Sequence, residues 1–258
     1  MPLKPAEKAM LEYTNDYLLN QKVKIFQPTN GYRASTDAVL LAAFPQKIKS
    51  GDRFLDIGSG TGAISLCLAH RLQEQNIKIY GFELQSELTE LANMSATANN
   101  FSHFLHYHNT DISQPNIPEP TNSFQHVITN PPYSKDDMKS PNLSKSLAHN
   151  FSATDLKSWI HFCLKMLAPY GYFYMINRAE ALPQILTFLQ DKAGEINIIP
   201  LYSKSQQNAK RVIVTARKNS KAPAIIHPPF IIHNDDSSYT TKAEQILRLG
   251  KTFWQAND

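Results

Sequence analysis

Asn130, Pro131 and Tyr133 stand almost side by side in the run Ile128-Thr129-Asn130-Pro131-Pro132-Tyr133. Their types suit a planar, weakly nucleophilic amine such as that of adenine. The Asn130 amide oxygen and the freed Pro131 carbonyl accept hydrogen bonds from the amine, and the Tyr133 ring stacks on the base. A rigid element has to carry them. Phe124 to Thr129 is a run of apolar and β-branched residues that reads as a strand. It stops at Asn130 because prolines lack an N–H for the sheet ladder and fix φ. The motif is therefore expected at the carboxyl end of a strand, where open α/β sheets place their ligands. An ordinary Asn-Pro turn with a surface tyrosine is the alternative at this point.

Upstream, Arg53-Phe54-Leu55-Asp56-Ile57 reads as a buried strand that enters Gly58-Ser59-Gly60-Thr61-Gly62 and then an apolar helix from Ala63 to His70 or beyond. Strand, glycine loop and helix form the entry unit of a nucleotide-binding α/β fold, because glycines permit a tight turn and let a ligand lie against bare backbone. The spacing is GxGxG rather than the GxGxxG of dinucleotide sites. The next strand, Ile77 to Glu83, ends in an acid, placed to accept both hydroxyls of a ribose; the alternative is a solvated acid opening the helix from about Gln85 to Asn99. His103 to His108 is a short strand, and Asp111, just after it, is either an acceptor for the amino group of a bound adenine or a turn residue. His106 and His108 share a parity, but no third metal ligand is evident nearby and no metal is expected.

The remaining elements frame these residues. Residues 1–20 are expected to form a loose arm, with a strand from Val23 to Pro28. Ser35, Thr36 or Asp37 would cap a short buried helix ending near Phe44, or the same segment would close over a cofactor. Gln114 to Asn122 holds three prolines and is expected as a surface loop. A polar, basic stretch follows Tyr133 as far as Asn150. A helix capped by Thr154 runs from Asp155 to about Leu167, a strand covers Tyr170 to Ile176, and a helix covers Glu180 to Lys192. Ile196 to Leu201 and Arg211 to Ala216 are strands joined without a helix pattern, so an antiparallel hairpin is expected. Phe230 to Ile232 and a helix from Thr241 to about Leu249 complete the chain.

The chain has 258 residues, 42% of them apolar, enough for one large α/β domain with additions. A net charge of +4 permits a polyanionic partner without requiring one. Cys67 and Cys163 have no paired spacing, which argues against a disulfide framework or zinc site and fits a reducing cytoplasm. The start lacks the apolar core of a signal peptide, and no run is long enough to span a membrane.

Alternating strands and helices predict a Rossmann-like, doubly wound, mainly parallel seven-stranded sheet with an antiparallel C-terminal hairpin. With Asp56 to Gly62, Glu83, Asp111 and Asn130-Pro131-Pro132-Tyr133 in this order, the chain resembles class I methyltransferases that use S-adenosylmethionine, over roughly residues 30–217. Ser35-Thr36-Asp37-Ala38-Val39-Leu40-Leu41-Ala42 and Tyr239-Thr240-Thr241-Lys242-Ala243-Glu244 narrow the resemblance to bacterial tRNA(Val) adenine-N6 methyltransferases. Ala148-His149-Asn150 and Tyr170 depart from that family's pattern and leave its substrate contacts open.

The resemblance implies an arm at 1–30, a methyltransferase domain at 31–220 and a C-terminal extension at 221–258 on the same domain. It implies that Thr36, Asp37, Asp56, Gly58, Gly60, Gly62, Glu83, Leu84, Asp111, Ile112 and Asn130 hold S-adenosylmethionine. Asn130, Pro131 and Tyr133 would hold the target base, and the substrate would be tRNA. Rival readings are a protein glutamine methyltransferase, which usually carries an N-terminal helical domain for which little room precedes Gly58, an rRNA or DNA base amino-methyltransferase, and a non-catalytic RNA-binding protein on a relic fold. Cytosine-C5 chemistry would need a nucleophilic cysteine, usually after proline; Cys67 follows Leu66 and Cys163 follows Phe162. Arg33, Lys135, Lys139, Lys145, Lys204, Lys210 and Arg211 are the basic residues expected near the rim.

Overall fold

The computed structural model describes residues 11–31, 33–132 and 156–256. Tyr133, the stretch after it with Lys135, Lys139 and Lys145, and the expected Thr154 cap lie outside them. Eleven strands are seen among the described residues. β1 (Tyr13–Leu18) and β2 (Val23–Pro28) form an antiparallel pair. The other nine form one sheet. β3 (Arg53–Ile57), β4 (Lys78–Glu83), β5 (Leu105–Asn109), β6 (Phe124–Thr129) and β7 (Leu167–Arg178) are mutually parallel in the order β7-β6-β3-β4-β5. β8 (Ala193–Tyr202) and β9 (Arg211–Lys218) make the expected antiparallel hairpin, with β9 against β7. Two short strands, β10 (Ile225–Ile226) and β11 (Phe230–Ile231), add to β8.

Helices cover both faces. α1 (Thr36–Leu41), α2 (Ala63–Leu72) and α3 (Ser86–Ala98) bury Leu40, Leu66 and Ala92 on one side. α4 (Leu156–Met166) and α5 (Leu182–Leu189) bury Ile160 and Ile185 on the other. α6 (Thr241–Leu247) is capped by the Thr240 hydroxyl, which accepts from the Ala243 N–H, and it packs on the first side. The C-terminal segment then returns to the domain: Phe253 stacks on Phe44 at 4.4 Å, and the Trp254 indole N–H donates to the Phe44 carbonyl.

The described part of the expected loose arm, residues 11–20, instead holds β1. Its residues alternate between exposed and half-buried, with none buried, so no apolar alternation marks it. It is held through β2, which is clamped to α3. The Lys24 N–H donates to Asn99 Oδ1 at 2.9 Å, Asn99 Nδ2 donates back to the Lys24 carbonyl at 2.7 Å, and the Phe26 N–H donates to Ser95 Oγ. β7 begins three residues before the expected Tyr170. Tyr170 sits within it at φ 62, with the Arg217 guanidinium over its ring and Arg217 Nε donating to its carbonyl.

Asn99→Ala leaves a partly buried donor and acceptor on Lys24 without partners, which costs about 1–3 kcal/mol. Urea unfolding of the variant should show a lower midpoint; an unchanged midpoint would mean that β2 is held elsewhere.

Candidate functional site

The sheet order decides what meets. The chain runs outward from β3 through β4 to β5, then restarts on the other side of β3 with β6. The crevice at such a reversal is where open α/β sheets take ligands. Asp111, Glu83, Gly58 and Asn130 therefore follow the carboxyl ends of four adjacent strands, in the order β5, β4, β3, β6.

The glycine loop turns in left-handed backbone, with Gly58 at φ 72 and Gly62 at φ 87. Both positions are also closely covered. A Cβ on Gly62 would run into the Tyr107 hydroxyl, which donates to the Gly62 carbonyl, and one on Gly58 would lie 2.9 Å from the Trp159 ring. Glu83 fixes the middle of the loop. Its Oε2 accepts the Gly60 N–H and its Oε1 the Gln85 N–H, both at 2.8 Å. Burial raises its pKa, against these backbone donors. Each oxygen keeps a further lone pair for a ligand hydroxyl.

Asp56 lies deeper. It is fully buried and faces α2, where Ser65 Oγ donates to its Oδ2 at 2.6 Å. Its Oδ1 and the loop hydroxyls of Ser59 and Thr61 are buried and make no hydrogen bond among the described residues. Burial pushes the Asp56 carboxyl up to about 7, against the pull of the Ser65 hydroxyl and N–H and helped by the charge of Glu83.

Asp111 is engaged by its own turn. Its Oδ1 accepts both the N–H and the hydroxyl of Ser113, and Gln114 reaches its Oδ2 at 3.4 Å. Burial raises its pKa, but these donors outweigh it and hold the carboxyl below its ordinary value. It lines a cleft of about 450 Å³ with His108, Thr110 and Ile117. Leu84 and Ile112 are half-buried beside Glu83 and Asp111.

At the other end of the row, Thr129 Oγ1 donates to the Ile57 carbonyl at 2.8 Å and accepts the Trp159 indole N–H at 2.9 Å. Asn130 is half-buried and Pro131 buried immediately beyond. Trp159, Ser65 and Tyr107 were not singled out in the sequence, where all three look like ordinary helix or strand positions.

The N-terminus of α1 departs from expectation. Ser35 is its N-cap and makes no side-chain hydrogen bond there. Asp37 instead pairs with Arg211 Nε of β9 at 2.9 Å, and Thr36 is exposed. A carboxylate facing a guanidinium gains more from that charged pair than from a cap. This ties α1 to the β9 side of the sheet. Arg33 is likewise engaged by the β1–β2 pair, on Asp16 Oδ2, Thr14 Oγ1 and the Pro28 carbonyl.

Cys67 and Cys163 are buried free thiols, and burial pushes Cys67 up to about 12. Among the described residues no group of three or more His, Cys, Asp or Glu side chains is placed to hold a metal ion, and no helix is long and apolar enough to cross a membrane.

The Asp56 carboxyl gives a pH-dependent prediction. Its folded value of about 7 exceeds the ordinary 3.8, so between those values the folded state holds a proton that the unfolded chain releases. Stability is full below the lower value and falls as pH rises through the window. Asp56→Asn should therefore melt above the parent protein at about pH 7.5 without cofactor, and the two should converge near pH 4. A variant less stable by the same margin at every pH would contradict the assignment.

The family model described as the methyltransferase small domain matches residues 33–158. A tRNA1(Val) (adenine(37)-N6)-methyltransferase of Actinobacillus succinogenes is 26% identical over 217 residues, covering 84% of this chain and 89% of its own. One of Porphyromonas gingivalis is 28% identical over 237 residues, covering 86% and 88%. Among solved structures, a predicted O-methyltransferase of Agrobacterium tumefaciens superposes with a TM-score of 0.68 at 23% identity, over 84% of this chain and 97% of that one. A putative class I S-adenosylmethionine-dependent methyltransferase of Listeria monocytogenes gives 0.56 at 18% identity, over 79% and 67%. The sheet order, the domain match and relatives aligned along most of both chains agree on the chemistry: this chain is an S-adenosylmethionine-dependent methyltransferase.

Proposed function

We propose that the enzyme methylates the exocyclic N6 amine of an adenosine in tRNA. The observation that carries this reading is the position of Asn130-Pro131, directly after β6 and beside the glycine loop through the Ile57–Thr129 register. Free lone pairs on Glu83 and the unpartnered loop hydroxyls fit the ribose and the polar end of S-adenosylmethionine. In this reading Glu83 accepts the ribose hydroxyls, Gly58, Gly60 and Gly62 form the bare cradle, and Leu84, Asp111 and Ile112 border the adenine of the cofactor. Asp56 acts from below by holding Ser65 and α2. Thr36 and Asp37 border the site from the β9 side.

When bound, the cofactor supplies an electrophilic methyl group on a sulfonium. The adenine amine is a poor nucleophile because its lone pair is delocalised into the ring. Asn130 Oδ1 and the Pro131 carbonyl accept its two N–H groups and localise that lone pair. Acceptors fixed in advance stabilise the charge that grows on nitrogen, and holding the reacting atoms in line supplies the orientation effect. A strong base is unnecessary, because the methylated aminium is acidic. Tyr133 stacks on the base, worth roughly 1–3 kcal/mol, and a base in folded RNA is splayed out to reach it.

The tRNA component draws on the printed activity of the relatives and on charge. β7 runs three residues past the Thr129–Met175 level, which brings Arg178 opposite Arg211 of β9, next to Lys210. Among the described residues, Asp37 pairs with Arg211 and Glu180 with Arg178. Lys204, from the same β8–β9 loop, donates to the Asp235 carbonyl. A cationic rim beside an amine-binding strand end suits a phosphate backbone better than a protein glutamine, the rival substrate.

Two outcomes follow. Asn130→Ala should keep its affinity for S-adenosylhomocysteine in calorimetry and lose methyl transfer by about 100-fold or more; turnover near that of the parent would remove Asn130 from the chemistry. Arg178→Glu with Lys210→Glu should weaken tRNA binding by about tenfold or more and flatten its salt dependence, with cofactor affinity unchanged. Unaltered tRNA affinity would place the RNA path elsewhere.

A further inference from the structure

One buried indole touches both halves of the site. Trp159 lies one turn into α4 and is 4% exposed. Its ring covers Gly58, the first residue of the cofactor loop, closely enough that a Cβ there would lie 2.9 Å away. Its N–H donates to Thr129 Oγ1, the residue before Asn130. The Thr129 hydroxyl has a single hydrogen, which goes to the carbonyl of Ile57, the residue before Gly58. The relay therefore has one direction: indole to hydroxyl to carbonyl. Other hydroxyl rotamers break one of its bonds in a site where unpaired polar groups are costly. The same relay joins the described residues on either side of 133–155, since Thr129 precedes that segment and Trp159 follows it.

We propose that Trp159 is a positioning residue for methyl transfer: through Thr129 it sets where Asn130 stands relative to the cofactor loop. The proposal rests on the reading of Asn130 as the amine acceptor. Methyl transfer needs the acceptor nitrogen in line with the methyl, and small misplacements cost large factors in rate. Affinity for the cofactor depends on the loop itself, which keeps Glu83 and Tyr107 as supports.

Trp159→Phe removes the N–H together with the outer ring atoms Cζ2 and Cη2 that lie over Gly58. Thr129→Val keeps the shape and removes the hydroxyl. In the full chain each should lower kcat on tRNA by about tenfold or more, with S-adenosylhomocysteine affinity by calorimetry held within a few-fold. The double variant should be no slower than the slower single one, because both break one relay. A second readout needs no turnover. The chain has two tryptophans, and Trp254 is packed on Phe44 beside the C-terminal segment. In the Trp254→Phe protein, emission comes from Trp159 alone and should change on titration with S-adenosylhomocysteine. Additive losses in the double variant, cofactor affinity falling in step with kcat, or emission unmoved by the ligand would each overturn the proposal. Asn130→Ala run in parallel separates the two readings. If it retains turnover, the amine-acceptor reading fails; if it loses turnover while Trp159→Phe does not, the positioning proposal alone fails.

Discussion

The Glu83 carboxylate is the constraint on which the site depends. It joins the end of β4 to the middle of the loop that leaves β3, with one oxygen on Gly60 and the other on Gln85. A buried carboxylate is stable only where donors replace the lost water. Here two backbone N–H groups do so, and they also fix the loop. Asp56 sits below with a single hydroxyl donor and an unpaired oxygen. Burial raises both acids, and Asp56 ends near neutrality. Two acids in one dry region thus have different partners: Glu83 holds the glycine loop by its backbone, and Asp56 ties β3 to α2 through Ser65.

From that anchor the sheet acts as a coordinate frame. Strands repeat at about 4.8 Å, so the order β5-β4-β3-β6 spaces Asp111, Glu83, Gly58 and Asn130 along one edge although they are far apart in sequence. The reversal at β3 places the glycine loop next to Asn130 at the end of β6. β7 and β9 extend the same edge with Arg178 and Arg211. In the proposed reading, cofactor, reacting amine and phosphate rim therefore fall on successive strands.

Much of this was legible in the sequence because it is periodic or punctuated. β6 ends where two prolines forbid a ladder, and β3 enters a loop marked by three glycines. The hairpin β8–β9 followed from the lack of a helix pattern between its strands. The missed features lack such marks. β1 buries no side chain and is held through β2, whose backbone is anchored by Asn99 and Ser95, distant in sequence. Asp37 has the right type for a cap, yet an arginine from β9 claims it. Asp111, read as a possible adenine acceptor with a turn residue as the alternative, is held by Ser113 two residues on, a local bond of a kind that spacing does not announce. Trp159 reads as one more apolar residue on an amphipathic helix, since a hydrogen bond from an indole to a threonine thirty positions earlier leaves no trace in periodicity.

The most direct test of the account is where the methyl group goes. Total RNA and total protein are incubated separately with the purified enzyme and isotope-labelled S-adenosylmethionine, and the products are digested to nucleosides or amino acids for mass spectrometry. The account predicts labelled N6-methyladenosine in the tRNA fraction. Label in protein glutamine with no N6-methyladenosine in RNA would contradict it, and N6-methyladenosine confined to ribosomal RNA would keep the chemistry and discard the substrate.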